Sequence, residues 1–335
     1  MANIVMFLIS ILIAFLGRTE SYAQTKVIIA HAAMSPRVAP AWIAQDHRFY
    51  AKYGVNAEVV NIRTAPVMLA AIAGGEVQIG YTGGTAALGA AVGGTELRIL
   101  ATWTNRVTYD LVARPEIKSP QDLRGMRFGV QSIGGTVWMG AILGLEHLGL
   151  EPVRDKIKIL VVGDQSVLTQ ALATGTIDAT VLDSSFSVML RQKGFSILAE
   201  FSKVDIPFSS LGLVAKKEYI DKNPSLIEGA LKSMLEGNAY ALSPTNKAST
   251  LASLQRRLRL GDDNAKETAY NDMLTGLARK PYPSVAGLRN IQRLMAELNP
   301  KVAKIDIGPL NMDRFVRALD QSGFIDKVLG SYGVR

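Results

Sequence analysis

The residues of this chain best suited to chemistry are small polar ones gathered at glycine turns. Ser132, Gly134, Gly135 and Thr136 follow an apolar stretch at 126–130 and open a helical run. The first N–H groups of a helix lack partners and carry partial positive charge. Such a turn either holds an anion or polar head, or simply bends. Gly83, Gly84 and Thr85 repeat the arrangement after residues 77–82, and Asp183 and Ser184 stand after 177–182. Asp183 there either accepts from a ligand amine or hydroxyl, or caps the next helix. Ser35, Pro36 and Arg37 follow residues 26–33; Arg37 either pairs an anionic head or faces solvent. Trp42, Trp103 and Trp138 each lie within a few residues of one of these turns. They read as cleft walls for an organic ligand or as ordinary core, with Tyr81 and Phe186 as weaker cases.

Several common catalytic motifs are absent. The chain has no GxxxxGK[ST], GxSxG or SxxK, and the Gly/Ala helix after Gly83 lacks GxGxxG, so its glycines suit close packing. His31, His47 and His147 have no metal-ligand spacing, and only His31, at a strand end, is placed near a turn. With no cysteine there is no thiol nucleophile, zinc–thiolate site, disulfide or lipid-anchored N-terminal cysteine. Neither a metal nor a cofactor is expected.

The elements that position these turns alternate. Strands are predicted at 26–33, 55–62, 77–82, 97–102, 109–113, 126–130, 158–162, 177–182, 195–201 and 209–215. Helices are predicted between them at 36–53, 65–73, from Gly83 to the Gly93-Gly94 pair, from the Ser132 turn to about 148, at 165–173 and at 186–192. This spacing argues for α/β architecture with parallel strands. Ser119 caps a short helix opened by Pro120, and Gly125 lets the chain turn into the next strand. Beyond Lys216 the chain is helical, with one helix from Asn223-Pro224 and others at 247–258, 263–278, 285–298 and 312–322. An internal echo, AIAGGEVQ at 71–78 and ALATGTID at 171–178, implies two similar α/β halves. Each half offers polar turns at the carboxyl ends of its strands, where open α/β sheets bind ligands, and two facing lobes make a cleft.

The chain has 335 residues, 48% of them hydrophobic, enough for about two domains. Net charge is +8 without a long basic run, and aromatics do not interleave with the basic residues, so no nucleic-acid footprint is expected. RRLR at 256–259 reads as a solvated helix face. The apolar run at 4–16 is too short to span a membrane, and Ser21-Tyr22-Ala23 suits signal-peptide cleavage before Gln24, although residues 1–3 carry no Lys or Arg. The expectation is a signal peptide at 1–23 and an exported, periplasmic monomer.

Taken in order, AWIAQDHRFYAKYGVNAEVV, LAAIAGGEVQIGYTGG, IKSPQDLRGMRFGV followed by SIGGT, ALATGTIDATVLD and NMDRFVRALDQSGFIDKVLG resemble the type II periplasmic solute-binding proteins of ABC transporters. The resemblance is to the nitrate/sulfonate/taurine and thiamine-pyrimidine group. Arg48 departs from that pattern, standing where the group usually has a glycine that ends the first helix. The resemblance implies lobe one at 24–113 and 207–335, lobe two at 114–206, and antiparallel strands at 109–113 and 211–215 where the chain crosses between them. It implies capture of a small organic anion and delivery to an ABC permease, and it places ligand contacts at Ser35, Pro36 and Arg37; with the turns read above, the candidate contacts are Ser35, Arg37, Trp42, Gly83, Gly84, Thr85, Trp103, Ser132, Gly134, Gly135, Thr136, Asp183 and Ser184. The rival readings are an enzyme on the same fold (thiamine-pyrimidine synthase-like or menaquinone-pathway dehydratase-like) and a ligand-sensing module for a signalling partner.

Overall fold

A computed structural model describes residues 26–62 and 65–334, so the segment read as a signal peptide lies outside the described residues. The chain begins with β1 (Val27–His31), the helices α1 (Ala39–Asp46) and α2 (Phe49–Lys52), β2 (Ala57–Asn61), α3 (Ala65–Gly74), β3 (Ile79–Thr82), α4 (Gly84–Val92) and β4 (Leu97–Arg106). It then passes to β5 (Asp110–Ala113), β6 (Arg127–Val130), α5 (Thr136–His147), β7 (Lys158–Val161), α6 (Gln165–Ala173), β8 (Ala179–Leu182), α7 (Ser184–Gln192) and β9 (Ser196–Glu200). It returns through β10 (Pro207–Lys216) into a helical tail. That tail comprises α8 (Lys217–Lys222), α9 (Pro224–Leu242), α10 (Lys247–Leu258), α11 (Asp263–Gly276), α12 (Val285–Leu298), α13 (Arg314–Gln321) and α14 (Phe324–Ser331).

Two five-stranded sheets result, with orders β2-β1-β3-β10-β4 and β7-β6-β8-β5-β9. In each, three parallel strands are followed by an antiparallel one. The internal echo is the repeated unit of this plan. Gly75 and Gly175 both take left-handed φ values, 85° and 73°, a conformation that favours glycine and reverses the chain from helix to strand. Glu76 N–H then returns to Ala71 O at 3.0 Å, and Thr176 N–H to Ala171 O at 2.9 Å. The match reaches the next side chain. Gln78 Oε1 accepts the Ile28 N–H at 2.8 Å, and Asp178 Oδ2 accepts the Arg127 N–H at 2.9 Å, each tying the start of the neighbouring strand.

Three expectations are corrected. The helix expected at 36–53 is interrupted because Arg48 adopts φ 58°, the left-handed conformation a glycine would fill more easily, splitting α1 from α2. The strands at 109–113 and 211–215 do not meet. β5 belongs to the second sheet and β10 to the first, and the crossing contact is Arg106 opposite Pro207, with Val107 N–H on Ile206 O at 2.9 Å. The RRLR face is also less free than expected, since Arg256 and Arg257 both pair with Asp46 on α1, at 2.6 and 2.7 Å.

The lobes are closed on each other. One buried apolar cluster runs from Ile72 and Leu88 in the first lobe, through Leu288, Ile291 and Leu294 of α12, to Trp138, Met139 and Phe128 in the second. Burial of this kind contributes about 25 cal/mol per Å² of apolar area, so the lobe–lobe boundary is held partly by the same force as the core. A second cluster packs the other face of the first sheet against α1, α9 and the terminal helices.

Candidate functional site

Four turns leave the carboxyl ends of β1, β3, β6 and β8, and lobe closure sets them against each other in two pairs. The first pair joins the starts of α4 and α5. Gly83 and Gly135 are their N-cap residues, and neither helix has a side-chain cap; the Ala86 N–H returns to Gly83 O at 3.1 Å, and the N–H groups before it lack the partner of a helix interior. Thr85 Oγ1 lies 3.8 Å from Met139 Sδ, joining the first turns of the two helices across the lobes. Ser132 is exposed, and Gly134, Gly135, Thr136 and Thr85 are half-buried. Gly134 has φ 76°, and a Cβ there would come 3.2 Å from Leu298 Cδ1 at the end of α12. Gly83 and Gly84 are glycines for a packing reason: a Cβ on Gly83 would stand 2.1 Å from Ser210 O of β10, and one on Gly84 2.8 Å from Leu288 Cδ1.

The second pair joins the turn after β1 to the start of α7 through buried charge. Arg37 is only 5% exposed. Its Nη1 donates to Asp183 Oδ1 at 2.9 Å and its Nη2 to Asp272 Oδ1 at 2.6 Å, with Thr108 O at 3.5 Å. Ser184 Oγ donates to the same Asp272 Oδ1 at 2.7 Å. Gln165 of α6 holds Asp183 from its own lobe, accepting the Asp183 N–H at 2.6 Å and donating to Oδ2 at 2.9 Å. Burial would lower the Arg37 pKa, but the Asp272 and Asp183 carboxylates outweigh it and hold the guanidinium charged. Burial raises Asp272 despite Arg37, because that one cation is shared and the Asp183 charge opposes it. Beside this network, burial pushes Tyr109 up and takes Asp110 to about 6.

Several expected roles change. Arg37 is committed to two carboxylates, so it neither faces solvent nor offers a free charge to an anion. Asp183 makes no side-chain bond to the start of α7; its carboxylate is turned to Arg37 and Gln165 instead. Ser35 is buried, and its Oγ accepts the Arg37 N–H at 3.4 Å. Trp42 and Trp103 are 1% and 0% exposed and are core side chains rather than cleft walls. Trp42 Nε1 donates to His31 Nε2 at 3.1 Å, while His31 Nδ1 lies 2.9 Å from Ala33 O, so this histidine completes the core. Trp103 stands edge-on to Tyr81 with ring centroids 5.8 Å apart.

Sequence reasoning missed Asp272, Gln165 and Thr108. Asp272 carried a readable signal: it sits on the buried α11 stripe with Ala269, Tyr270, Met273 and Gly276. A lone acid in an apolar stripe needs a partner. Gln165 and Thr108 carried none, since their roles depend on which turn the fold brings beside them.

Among curated proteins, none matches this sequence. Solved structures share the fold. The periplasmic aliphatic sulphonate-binding protein SsuA of Escherichia coli is 20% identical with a TM-score of 0.71, over 87% of this chain and 99% of that one. The alkanesulfonate-binding protein SsuA of Xanthomonas axonopodis pv. citri, bound to MOPS, is 16% identical with a TM-score of 0.62, over 84% and 94%. The periplasmic nitrate-binding protein NrtA of Synechocystis PCC 6803 is 14% identical with a TM-score of 0.63, over 93% and 90%. The family model described as NMT1/THI5 like matches residues 35–248. With the two sheets, the two crossings and the facing turns, that match places the chain in the NMT1/THI5-like family, on the two-lobed fold of the periplasmic binding proteins.

Proposed function

We propose that this protein is the exported solute-binding component of an ABC importer, and that it captures a small organic anion between its lobes. The observation that carries the reading is the convergence of two helix starts without side-chain caps, α4 and α5, from opposite lobes. Facing N-termini present N–H groups and positive dipole ends from both sides, an arrangement suited to a sulfonate or carboxylate head. Ser132, Thr136 and Thr85 add hydroxyls. Lobe motion about the paired crossings at Arg106 and Pro207 admits the solute, and closure removes it from water. Relatives that bind sulfonates and nitrate support an anion, and their periplasmic location supports export followed by docking on a permease. Among the described residues no helix is long and apolar enough to cross a membrane.

The test is a thermal-shift screen of sulfonates, carboxylates, nitrate and pyrimidines, followed by calorimetry. A solute at about 100 times its Kd stabilises the folded protein by about 2.7 kcal/mol, a rise of roughly 5 °C. Gly135→Asp supplies a good N-cap to α5 and places a carboxylate where the solute head would sit. The added Cβ meets the movable Ser132 Oγ at 2.5 Å. The variant is expected to fold and to lose anion affinity by about 100-fold or more. An anion that binds wild type and Gly135→Asp equally well contradicts the reading.

A further inference from the structure

We propose that Arg37, Asp183, Asp272 and Ser184 form an interlobe latch that holds the lobes together without solute, making Arg37 a positioning residue for closure. The proposal rests on the solute-binding reading only for what the closure serves. Its parts come from three places in the fold: Arg37 from the turn after β1, Asp272 from α11, and Asp183 with Ser184 from the start of α7 in the other lobe.

Each lobe prepares its half. Within the first lobe Arg37 Nη2 holds Asp272 at 2.6 Å. Within the second, Gln165 grips both the backbone N–H and Oδ2 of Asp183, leaving Oδ1 directed at Arg37 Nη1, 2.9 Å away. Ser184 adds a second interlobe bond to Asp272 Oδ1 at 2.7 Å. All the charged side chains are at most 7% exposed. Opening strips Asp183 of its cation while Gln165 still holds it in place, and leaves Arg37 with one carboxylate instead of two. Attraction between buried charges is screened far less than at a surface, so the contact acts as a discrete catch. The exposed interlobe pair of Arg293 and Glu146 is the contrast: it is bidentate, at 3.0 and 2.6 Å, but its charges stand partly in water and are screened by salt.

Within the network one cation serves two carboxylates, while Arg37 Nε and Asp272 Oδ2 are buried without a hydrogen-bond partner among the described residues. That cation is already matched by carboxylates, so no anionic solute is needed to neutralise Arg37 on closing. Recognition and closure are thus divided between the two pairs of turns.

The chain has no cysteine, so two can be introduced for spin labels, replacing the exposed Val67 of α3 and Val161 of β7. Distances between the labels are read by pulsed electron resonance in the full exported chain with no solute present. The doubly labelled protein is expected to give one short distance population. Asp183→Asn, which keeps the shape of the side chain and removes its charge, is expected to add a longer population. Arg37→Met, which removes the same contact from the other lobe, is expected to do likewise and serves if the first variant does not fold. Asp272→Asn keeps the Arg37–Asp183 pair and is expected to remain short, an outcome a merely structural charge cluster does not predict. A predominantly long population without solute in the otherwise wild-type protein overturns the latch, as does an unchanged short population in Asp183→Asn and Arg37→Met. Because no solute enters the measurement, failure of the latch is distinguishable from failure of the anion reading.

Discussion

Asp110 opens β5, the first strand beyond the crossing, and is 5% exposed. Burial is the largest influence on its carboxyl and disfavours ionisation; the Ser187 hydroxyl donates to it and opposes that, while Glu200 and Asp272 add repulsion and Arg191 a smaller attraction. The net result raises its pKa from 3.8 to about 6. A carboxyl raised on folding stabilises the native state only while protonated. Its contribution is full below about 3.8 and is lost as pH climbs through about 6. Above that range the fold carries a penalty of about 3 kcal/mol, from a rise of about two pH units at ~1.4 kcal/mol each. Asp110→Asn removes the charge and retains a neutral acceptor for Ser187, as the protonated carboxyl does, and the Ser187 bond is already included in the net shift. The variant is therefore expected to gain about 3 kcal/mol over wild type at pH 7.5 and little at pH 4. Urea unfolding followed by circular dichroism, repeated at half-unit intervals between those limits, reads the difference directly. Two curves that run parallel through the whole range, or a variant less stable at pH 7.5, would refute the reasoning.

Three further substitutions test the packing that positions the site. Trp42→Phe breaks the bond to His31 and leaves a buried ring nitrogen unpaired, whereas Trp103 Nε1 has no hydrogen-bond partner to lose. Urea midpoints should therefore show Trp42→Phe costing about 1–3 kcal/mol more than Trp103→Phe, with solute affinity unchanged in both; an affinity loss in Trp103→Phe would return that ring to the cleft. Gly83→Ala drives a methyl into Ser210 O of β10 and is expected to cost about 3 kcal/mol or more, seen as a lowered Tm; a neutral result would mean that β10 yields easily.

What could be read from the chain was local. The bounds of α10 and α12 follow from their own periodicity, and both agree with the expected 247–258 and 285–298. The echo at 71–78 and 171–178 encodes a helix-end reversal that each copy completes within a few residues. Longer reach was less legible. β4 runs on to Arg106, past the expected 102, because β10 returns from far along the chain to pair with it. α14 was not expected at all: the helix before it was expected to end at 322, and after Gly323 at φ 74° the chain forms a further helix. The roles of Arg37, Trp42 and Trp103 were misjudged for the same reason: nearness in sequence to a polar turn says nothing about what covers the side chain. Asp272 covers Arg37 and Ala278 N–H bonds Trp103 O at 2.7 Å, both from the helical tail. The two glycine turns were legible as helix starts because a helix start is set by the turn itself.

The most direct measurement of the central claim is a crystal structure of the protein with the tightest-binding solute from the anion screen. The account predicts the anionic head between the starts of α4 and α5, within hydrogen-bond distance of backbone N–H groups from both lobes, with Arg37 still paired to Asp183 and Asp272. A solute bound outside the cleft, or one whose head displaces Asp183 from Arg37, would contradict it.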